Sequence, residues 1–531
     1  MRRPTIAALL LTTCIAGCGD RAEVWDGPPP NTDLPIYGMR STIAFLDNEA
    51  ERVVFATPET VGEMSFAEVT TGRGYQTSAL SSDRQKLVTL TAGDVPRRKA
   101  EDQAPALRIF DTAASPPTQT VFELADALSG LALDPQMEFG VVYPRGASVA
   151  FVQNPNELVL VRLNEPPSET NPLPATIRSY GGRPEGFTFT DELLLPGGAR
   201  RLLVVRTDRD VALIDLNQPE KPEITVKLTT GATQLVPAGI AASDGDPEDE
   251  NDARVAVRLA NDNSVILLDL LPTPADKVDT SPHSFSPVPN IVDVGGVPSD
   301  ITFAKTDGGL RLLALVPNEK ALKLVDPATG VATSVALGAP FEKMSLVTNI
   351  VGPTDAGSDV ALLWSANVAG VAFVALGSTI GTPYKSVEVR PVDFPAYAVL
   401  DVPAPNNHLK ILMGNQLSIL DLLSRTITPF VTPQNPDAFV SNDGQRLWIS
   451  ASGNDFAKVD LTTKHPQNYF LNQNIGEAME VERADGGLSF ITIRRQGALS
   501  LSMFDALAPS LEQNTEYFGI LYGDYSQEGE Q

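Results

Sequence analysis

The residues best suited to bind a metal ion lie together in one acidic stretch, residues 244–252. The spacing of these residues departs from that of the calcium-binding EF-hand loop. Pro247 interrupts the stretch, and no glutamate stands at the twelfth position of a loop that would begin there. The alternative is a solvated hairpin loop between two strands. Carboxylate oxygens are the ligands that calcium prefers, and a calcium loop here would use Asp244, Asp246, Glu248, Asp249 and Asp252. We expect no cofactor other than this calcium ion.

Other catalytic or metal-binding sets are not apparent in the sequence. The three histidines, His283, His408 and His465, lie far apart and suggest ordinary surface residues, unless the fold brings distant segments together. No Gly-x-Ser-x-Gly nucleophile elbow occurs. The two cysteines, Cys14 and Cys18, are too few for a four-cysteine zinc site or a cysteine-held iron–sulfur cluster. We therefore predict no catalytic residue.

One carboxylate recurs at the end of short apolar runs. A catalytic centre needs one or two such groups, whereas a turn that follows a strand is needed once in every repeat. We therefore predict that each carboxylate accepts hydrogen bonds from the backbone N–H groups of the turn that follows it. The recurring residues are Asp111, Asp215, Asp269, Asp326, Asp421, Asp460 and Asp505.

The N terminus has the features of a secretory signal peptide over residues 1–17, with two arginines before a mostly apolar run. Residues 15–18, Ile-Ala-Gly-Cys, resemble the lipobox of bacterial lipoproteins, in which the cysteine thiol receives a diacylglyceryl group before cleavage. The resemblance implies lipidation of Cys18 and a location in the bacterial cell envelope. Gly19 favours the outer membrane. The alternative is an ordinary secreted protein.

The formal net charge of −26 limits the partners of this chain. Such a charge repels nucleic-acid phosphates and anionic lipid headgroups, so we expect neither as a partner. We interpret the acidity as a means of keeping an exported protein soluble, rather than as an acidic recognition surface. After Cys18 there is no run of roughly 18 apolar residues, so we expect the membrane to be reached through lipid on Cys18.

The elements that would position all these residues are short β-strands. From residue 41, runs of β-branched and aliphatic residues are bounded by Gly, Pro, Asn and Asp, without long helical periodicity. Residues 309–330 show the unit: a strand, a polar turn, a second strand ending at Asp326, and another turn. Similar strand pairs recur at a period of roughly 40–57 residues. Degenerate pairs are expected at 148–161 and 360–374.

This repeat resembles that of the bacterial YVTN and WD40-like β-propellers. The resemblance is carried by residues 443–450 leading to Asp460, and by Asp307 and Gly308 leading to Asp326. It implies an all-β fold, a single β-propeller of four-stranded antiparallel blades, with about seven to ten blades.

We expect the propeller to occupy residues 41–522, between a flexible tether at 18–40 and a disordered tail at 523–531. The strand at 517–522 is expected to pair with an incomplete first blade at 42–55, so that pairing of the N- and C-terminal strands closes the ring.

A rigid ring with loops of varying length favours a binding or scaffold module for a protein or another ligand of the cell envelope. The alternative is an enzyme of the lactonase, lyase or dehydrogenase type with its site at the channel mouth. The sequence offers no residue set for these chemistries, so a non-enzymatic role is the expectation.

Replacement of Cys18 by serine is expected to release the protein from membranes, because the serine hydroxyl does not accept the diacylglyceryl group. Cell fractionation and metabolic labelling with a fatty acid measure the two effects, with the wild-type chain as the control. Membrane association that persists in Cys18→Ser would contradict the lipid anchor.

Overall fold

The computed structural model describes residues 32–146, 156–165, 175–177, 182–230, 233–245, 248–278, 281–306, 308–348, 360–377, 387–432, 435–450, 453–471, 474–495, 499–510, 514–522 and 526–529. Across these ranges, no helix has both the length and the apolar character needed to cross a membrane. The helical content of the same ranges is two short 3₁₀ turns, Pro317–Glu319 and Ile520–Tyr522.

The short apolar runs form strands that pair in ten consecutive antiparallel sheets, each of them one blade. Blade 1 consists of β1 (Ile36–Gly38), β2 (Ile43–Asp47), β3 (Arg52–Thr60) and β4 (Glu63–Thr70). Blade 2 consists of β5 (Tyr75–Leu80), β6 (Lys86–Thr91), β7 (Ala106–Asp111) and β8 (Thr118–Glu123). Blade 3 consists of β9 (Gly130–Leu133), β10 (Phe139–Tyr143), β11 (Glu157–Arg162) and β12 (Ala175–Ile177).

Blades 4 to 6 follow the same order, with two small hairpins added around blade 4. Blade 4 is β13 (Pro184–Phe189), β16 (Leu202–Thr207), β17 (Asp210–Asp215), β18 (Ile224–Lys227); the hairpins are β14 (Leu193–Leu195) with β15 (Gly198–Arg200), and β19 (Thr229–Thr230) with β20 (Thr233–Gln234). Blades 5 and 6 are β21 (Pro237–Ser243), β22 (Arg254–Leu259), β23 (Ser264–Pro272), β24 (Phe285–Asp293); β25 (Asp300–Thr306), β26 (Gly309–Val316), β27 (Ala321–Val325), β28 (Ala332–Ala336).

Blades 7 to 10 complete the ring, and the last blade carries a fifth strand. Blade 7 consists of β29 (Lys343–Val347), β30 (Val360–Trp364), β31 (Gly370–Ala375) and β32 (Val387–Pro391), and blade 8 of β33 (Ala398–Asp401), β34 (Leu409–Met413), β35 (Leu417–Asp421) and β36 (Thr426–Phe430). Blade 9 consists of β37 (Asp437–Val440), β38 (Arg446–Ser450), β39 (Asp455–Asp460) and β40 (His465–Phe470). Blade 10 consists of β41 (Glu477–Glu482), β42 (Leu488–Arg494), β43 (Ser500–Asp505), β44 (Thr515–Phe518) and β45 (Ser526–Gly529). The predicted all-β propeller of four-stranded antiparallel blades is confirmed.

Contacts and burial show that the first strand of each blade lies towards the centre of the ring and the fourth strand towards the outside. First strands of neighbouring blades contact one another, as β21 contacts β25 and β33 contacts β37. Second strands such as β34 are buried throughout, whereas the fourth strand β40 is mostly exposed. The core therefore lies between adjacent blades, where the middle strands of one sheet pack on those of the next.

Because the strands alternate in direction, the ring has two distinct faces. The turn face carries the connections between first and second strands and between third and fourth strands of each blade, such as residues 441–445 and 461–464 of blade 9. The entry face carries the connections between second and third strands and those between blades, such as residues 431–436. Each loop is assigned to a face by this connectivity.

The predicted turn role of the recurring aspartates is confirmed at six of the seven positions. Asp460 shows the pattern: its Oδ1 accepts the Thr463 N–H at 2.8 Å, and this bond is the largest cause of the lowered pKa of the carboxyl group. Asp269 differs, because strand β23 continues beyond it to Pro272. The Asp269 carboxylate instead accepts a hydrogen bond from Arg254 Nε at 2.7 Å. The turn donors at the other five aspartates are the N–H groups of Ala113, Asn217, Ala328, Leu423 and Leu507.

The predicted closure by pairing of the terminal strands is wrong. The first blade is complete, because Ile36–Gly38 supplies its first strand, and β44 pairs with β43 inside blade 10. The ring closes by packing instead: Ile43 and Val54 of blade 1 share a core with Ile491 of blade 10. Backbone N–H groups of blade 10 also donate to carbonyl groups of blade 1, as Glu482 does to Arg40 at 2.8 Å.

Two expected boundaries also move. The propeller begins at Ile36, inside the stretch predicted as a tether, and Ser526–Gly529, inside the predicted disordered tail, pairs with β44 as a fifth strand. The expected strand at 148–152 lies outside the described residues, and the partner of β11 is Phe139–Tyr143. The degenerate pair expected at 360–374 is present as β30 and β31.

Replacement of Tyr517 by phenylalanine is expected to weaken the seam between the first and last blades. The buried Tyr517 hydroxyl donates to the Gly62 carbonyl at 2.9 Å, and its loss costs about 0.5–1.5 kcal/mol. Urea-induced unfolding measures the free-energy change. Tyr469→Phe is the control, since that hydroxyl donates to Gln467 of its own strand. Equal stability changes in the two variants would contradict the importance of this bond.

Candidate functional site

Within the described ranges, the turn face carries added structure on blades 3 to 5. The hairpin of β14 and β15 lies between β13 and β16, the acidic stretch joins β21 to β22, and residues 273–284 join β23 to β24. We call this region the acidic sector and define it by its described residues within 134–138, 163–165, 190–201, 216–223, 244–252 and 273–284. The turn-face connections of blade 9, at 441–445 and 461–464, are shorter.

The added loops of the acidic sector are fastened to one another. The Leu194 N–H of the hairpin donates to the Asp244 carboxylate, and the Ser284 hydroxyl donates to the Pro196 carbonyl. Below these contacts, Leu193 and Leu195 pack with Phe285 in the core shared by blades 4 and 5. The loops are therefore held as one surface by polar contacts above and apolar packing below.

The acidic stretch is the loop between two strands of one blade, as the solvated-loop alternative required. Asp249 accepts hydrogen bonds from the backbone and side chain of Asn251, and Asp244 is engaged by Leu194. Asp246 lies outside the described residues. Among the residues that the structure describes, no three His, Cys, Asp or Glu side chains are grouped to hold a metal. The calcium loop of Asp244, Asp246, Glu248, Asp249 and Asp252 therefore stays a prediction.

A pocket of about 410 Å³ opens on the turn face between blades 3 and 4. Its apolar walls are Phe139 and Leu216, and the rest of the lining is polar or charged. This mixture of an apolar wall with a few polar groups is typical of sites that bind a side chain or a small ligand. The polar lining consists of Glu138, Arg162, Asn164, Glu165, Arg201 and Asn217.

Arg201 fixes the shape of this pocket. Its guanidinium pairs with both oxygens of the fully buried Asp134, at 2.6 and 3.0 Å, and with Glu138 at 2.7 Å. Burial lowers the pKa of Arg201, but hydrogen bonds and charges from Asp134 and Glu138 outweigh burial and raise the pKa above its ordinary value. The cation is thus neutralised internally, and the rim of the pocket keeps the acidic character of its surroundings.

The acidic sector carries more exposed carboxylates than basic side chains. Among its described basic residues, Lys277 is exposed, and Arg200, Arg201 and Lys221 are half-buried. The two arginines are paired with Asp215 and Asp134. Exposed carboxylates far outnumber these cations, so the surface attracts positive charge. The exposed carboxylates are those of Glu138, Glu165, Asp191, Glu192, Glu220, Glu248, Asp249, Glu250 and Asp276.

The three histidines lie on different parts of the ring. His283 is buried in the acidic sector, where Nε2 contacts the Pro222 carbonyl at 2.7 Å. His408 precedes β34 of blade 8, and His465 is exposed at the start of β40 in blade 9. The fold does not group them with other potential ligands among the described residues. Cys18 lies outside the described part of the chain, and its lipidation stays a prediction.

Sequence reasoning missed the pocket and its central cation. Arg201 and Asp134 are separated by 67 positions, so their pairing depends on the packing of blade 4 against blade 3. The sequence held one weak indication of this buried cation, since the adjacent pair Arg200 and Arg201 stands directly before an apolar strand. The structure gives the two residues different partners, Asp215 for Arg200 and Asp134 for Arg201.

Comparison with known proteins finds only distant structural similarity. No protein-family model and no curated protein matches the chain. Among solved structures, it is similar to dihydro-heme d1 dehydrogenase NirN in complex with DHE, with 13% identity, TM-score 0.40, and coverage of 70% of this chain and 72% of that one. Apo AztD from Citrobacter koseri has 12% identity, TM-score 0.32, and coverage of 68% and 87%.

Saccharomyces cerevisiae Sqt1 is similar at 11% identity, with TM-score 0.37 and coverage of 85% of this chain and 97% of that one. Similarities this distant carry no argument about activity or ligand. The chemistry of the acidic sector has to be argued from its own residues.

Replacement of Arg201 by alanine is expected to destabilise the protein by about 3–5 kcal/mol, because it leaves Asp134 as a buried charge without its main partner. Urea-induced unfolding measures the loss. The control is Arg209→Ala, whose exposed pair with Asp208 contributes about 0–1 kcal/mol. Arg201→Lys is expected to fall between the two, since it keeps the charge without the bidentate geometry. A loss in Arg201→Ala no larger than the control would contradict the buried pair.

Proposed function

We propose that this protein is a lipid-anchored binding module of the bacterial cell envelope, and that its acidic sector recognises a basic segment of a partner protein. The observation that carries the proposal is the coincidence of the added, mutually fastened loops with the excess of exposed carboxylates. A rigid scaffold that presents specialised loops at one place on its surface is a common basis of recognition.

The distribution of charge supports recognition over a general solubilising role. Acidity that served solubility alone would not need to coincide with the loops that blades 4 and 5 add to the turn face. The contacts of Leu194 with Asp244 and of Ser284 with Pro196 hold these loops in place before a partner arrives, which reduces the entropy lost on binding.

The pocket between blades 3 and 4 supplies a place for one basic side chain of such a partner. Phe139 and Leu216 offer apolar contact to its aliphatic stem, and Glu138 and Glu165 at the pocket offer carboxylate oxygens to its charged end. An incoming cation would share Glu138 with Arg201, which donates to it at 2.7 Å, and Glu165 with Arg162, which lies 3.9 Å away. No observation specifically favours the alternative of an enzyme at the channel mouth.

A triple charge reversal, Glu248→Lys with Asp249→Lys and Glu250→Lys, is expected to weaken binding of an oligolysine peptide at least about tenfold at low salt, since it removes the attraction between opposite charges. Fluorescence anisotropy with a labelled peptide measures the affinity, and the salt dependence should become shallower. Crosslinking of intact cells should lose its partner band in the same variant.

The matched control changes the same number of exposed carboxylates away from the sector: Glu49→Lys with Glu319→Lys and Asp393→Lys, all on the entry face. This control has the same net charge as the sector variant. Equal weakening in the two variants would show that only total charge matters. Unchanged crosslinking in the sector variant would refute the acidic sector as the binding surface.

A further inference from the structure

We infer that the entry face of the ring lies against a lipid surface, and that Tyr397, Val431 and Phe470 contact it. The inference rests on the lipid anchor of the proposed function, and it adds the orientation of the ring and the residues at the membrane. Three features of the structure point to this face: where the chain enters the ring, which apolar side chains are exposed there, and where the acidic sector lies.

The chain enters the propeller on the entry face. Arg495 stands in the connection between β42 and β43, and its Nη1 donates to the carbonyl groups of Thr32 at 2.9 Å and Leu34 at 2.8 Å. The first strand, Ile36–Gly38, starts directly afterwards. The fourteen positions from Cys18 to Thr32 span at most about 50 Å when fully extended. The shortest path from a lipid on Cys18 to the ring therefore reaches the entry face.

Three large apolar side chains are exposed on successive connections of this same face. Tyr397 is 57% exposed just before β33, Val431 is 101% exposed between β36 and β37, and Phe470 is 61% exposed at the end of β40. They follow blade by blade through the sector that leads to blade 10, where Arg495 holds the incoming chain. Aromatic side chains with a polar tip, such as tyrosine, favour the interface between lipid and water.

The charge of the acidic sector favours the same orientation. Anionic headgroups repel the acidic sector, which lies on the opposite face, and turning it away from the membrane also leaves it open to a partner. Asp393 is exposed in the same connection as Tyr397, and Asp437 is exposed at the start of the strand that follows Val431. The contact therefore suits zwitterionic headgroups such as phosphatidylethanolamine. The ring would thus rest on neutral lipid and present its acidic sector outward.

Hydroxyl-radical footprinting of the lipidated full chain tests the contact. The protein is reconstituted on vesicles of phosphatidylethanolamine and phosphatidylcholine, and oxidation is compared with that of unanchored Cys18→Ser protein. Oxidation of Tyr397 and Phe470 is expected to fall at least about threefold on vesicles. Leu507 is the internal control: it is 60% exposed in the connection between β43 and β44, on the turn face, and should not change.

Equal oxidation of Tyr397 and Phe470 in the two samples, or protection of Leu507 instead, would overturn the inference. Protection of Tyr397 and Phe470 that appears without vesicles and grows with protein concentration would show that a second copy covers the surface, which also overturns it.

Failure of the anchor can be told apart from failure of the contact. Vesicle flotation first shows whether the wild-type chain is attached. If it does not float, the lipid anchor is refuted, and a maleimide-linked lipid is coupled to Cys18 of the purified mature chain, in which that cysteine has no competitor. Footprinting of this protein then decides the contact of Tyr397 and Phe470 independently.

Discussion

Burial between neighbouring blades is the constraint on which the whole molecule depends. Each sheet has apolar residues on both sides of its middle strands, and those residues are covered only when another blade packs on each side. A row of blades would leave two uncovered sheets at its ends, so the ring must close. It closes where Ile43 and Val54 meet Ile491, without sharing a strand between the first and last sheets.

Polar contacts strengthen this packing between blades. Glu480 is buried in blade 10 and accepts hydrogen bonds from Arg446 at 3.1 Å and from the Trp448 indole at 2.7 Å, both in blade 9. Arg206 and Arg258 each donate to a proline carbonyl of the following blade, at 3.2 and 3.1 Å. Such bonds are worth more in a dry interface than on the surface.

A rigid ring separates structure from recognition. The turns after the recurring aspartates repeat one hydrogen-bonding pattern, whereas the connections on blades 4 and 5 carry added loops that side-chain contacts fasten to each other. Their carboxylates face solution on the side of the ring opposite the entry of the chain. Binding surface and anchor can therefore be placed on different faces by the alternation of strand direction alone.

The sequence by itself determined the all-β propeller and the turn role of the aspartates, because both depend on local alternation and on a repeat that recurs within one chain. It also predicted the loop that carries Asp244 and Asp249. Only the tertiary structure decided that ten blades close by packing, and that Arg201 meets Asp134 beside a pocket. These features depend on which blade faces lie together, and contacts between residues distant in sequence leave no periodic trace in the chain.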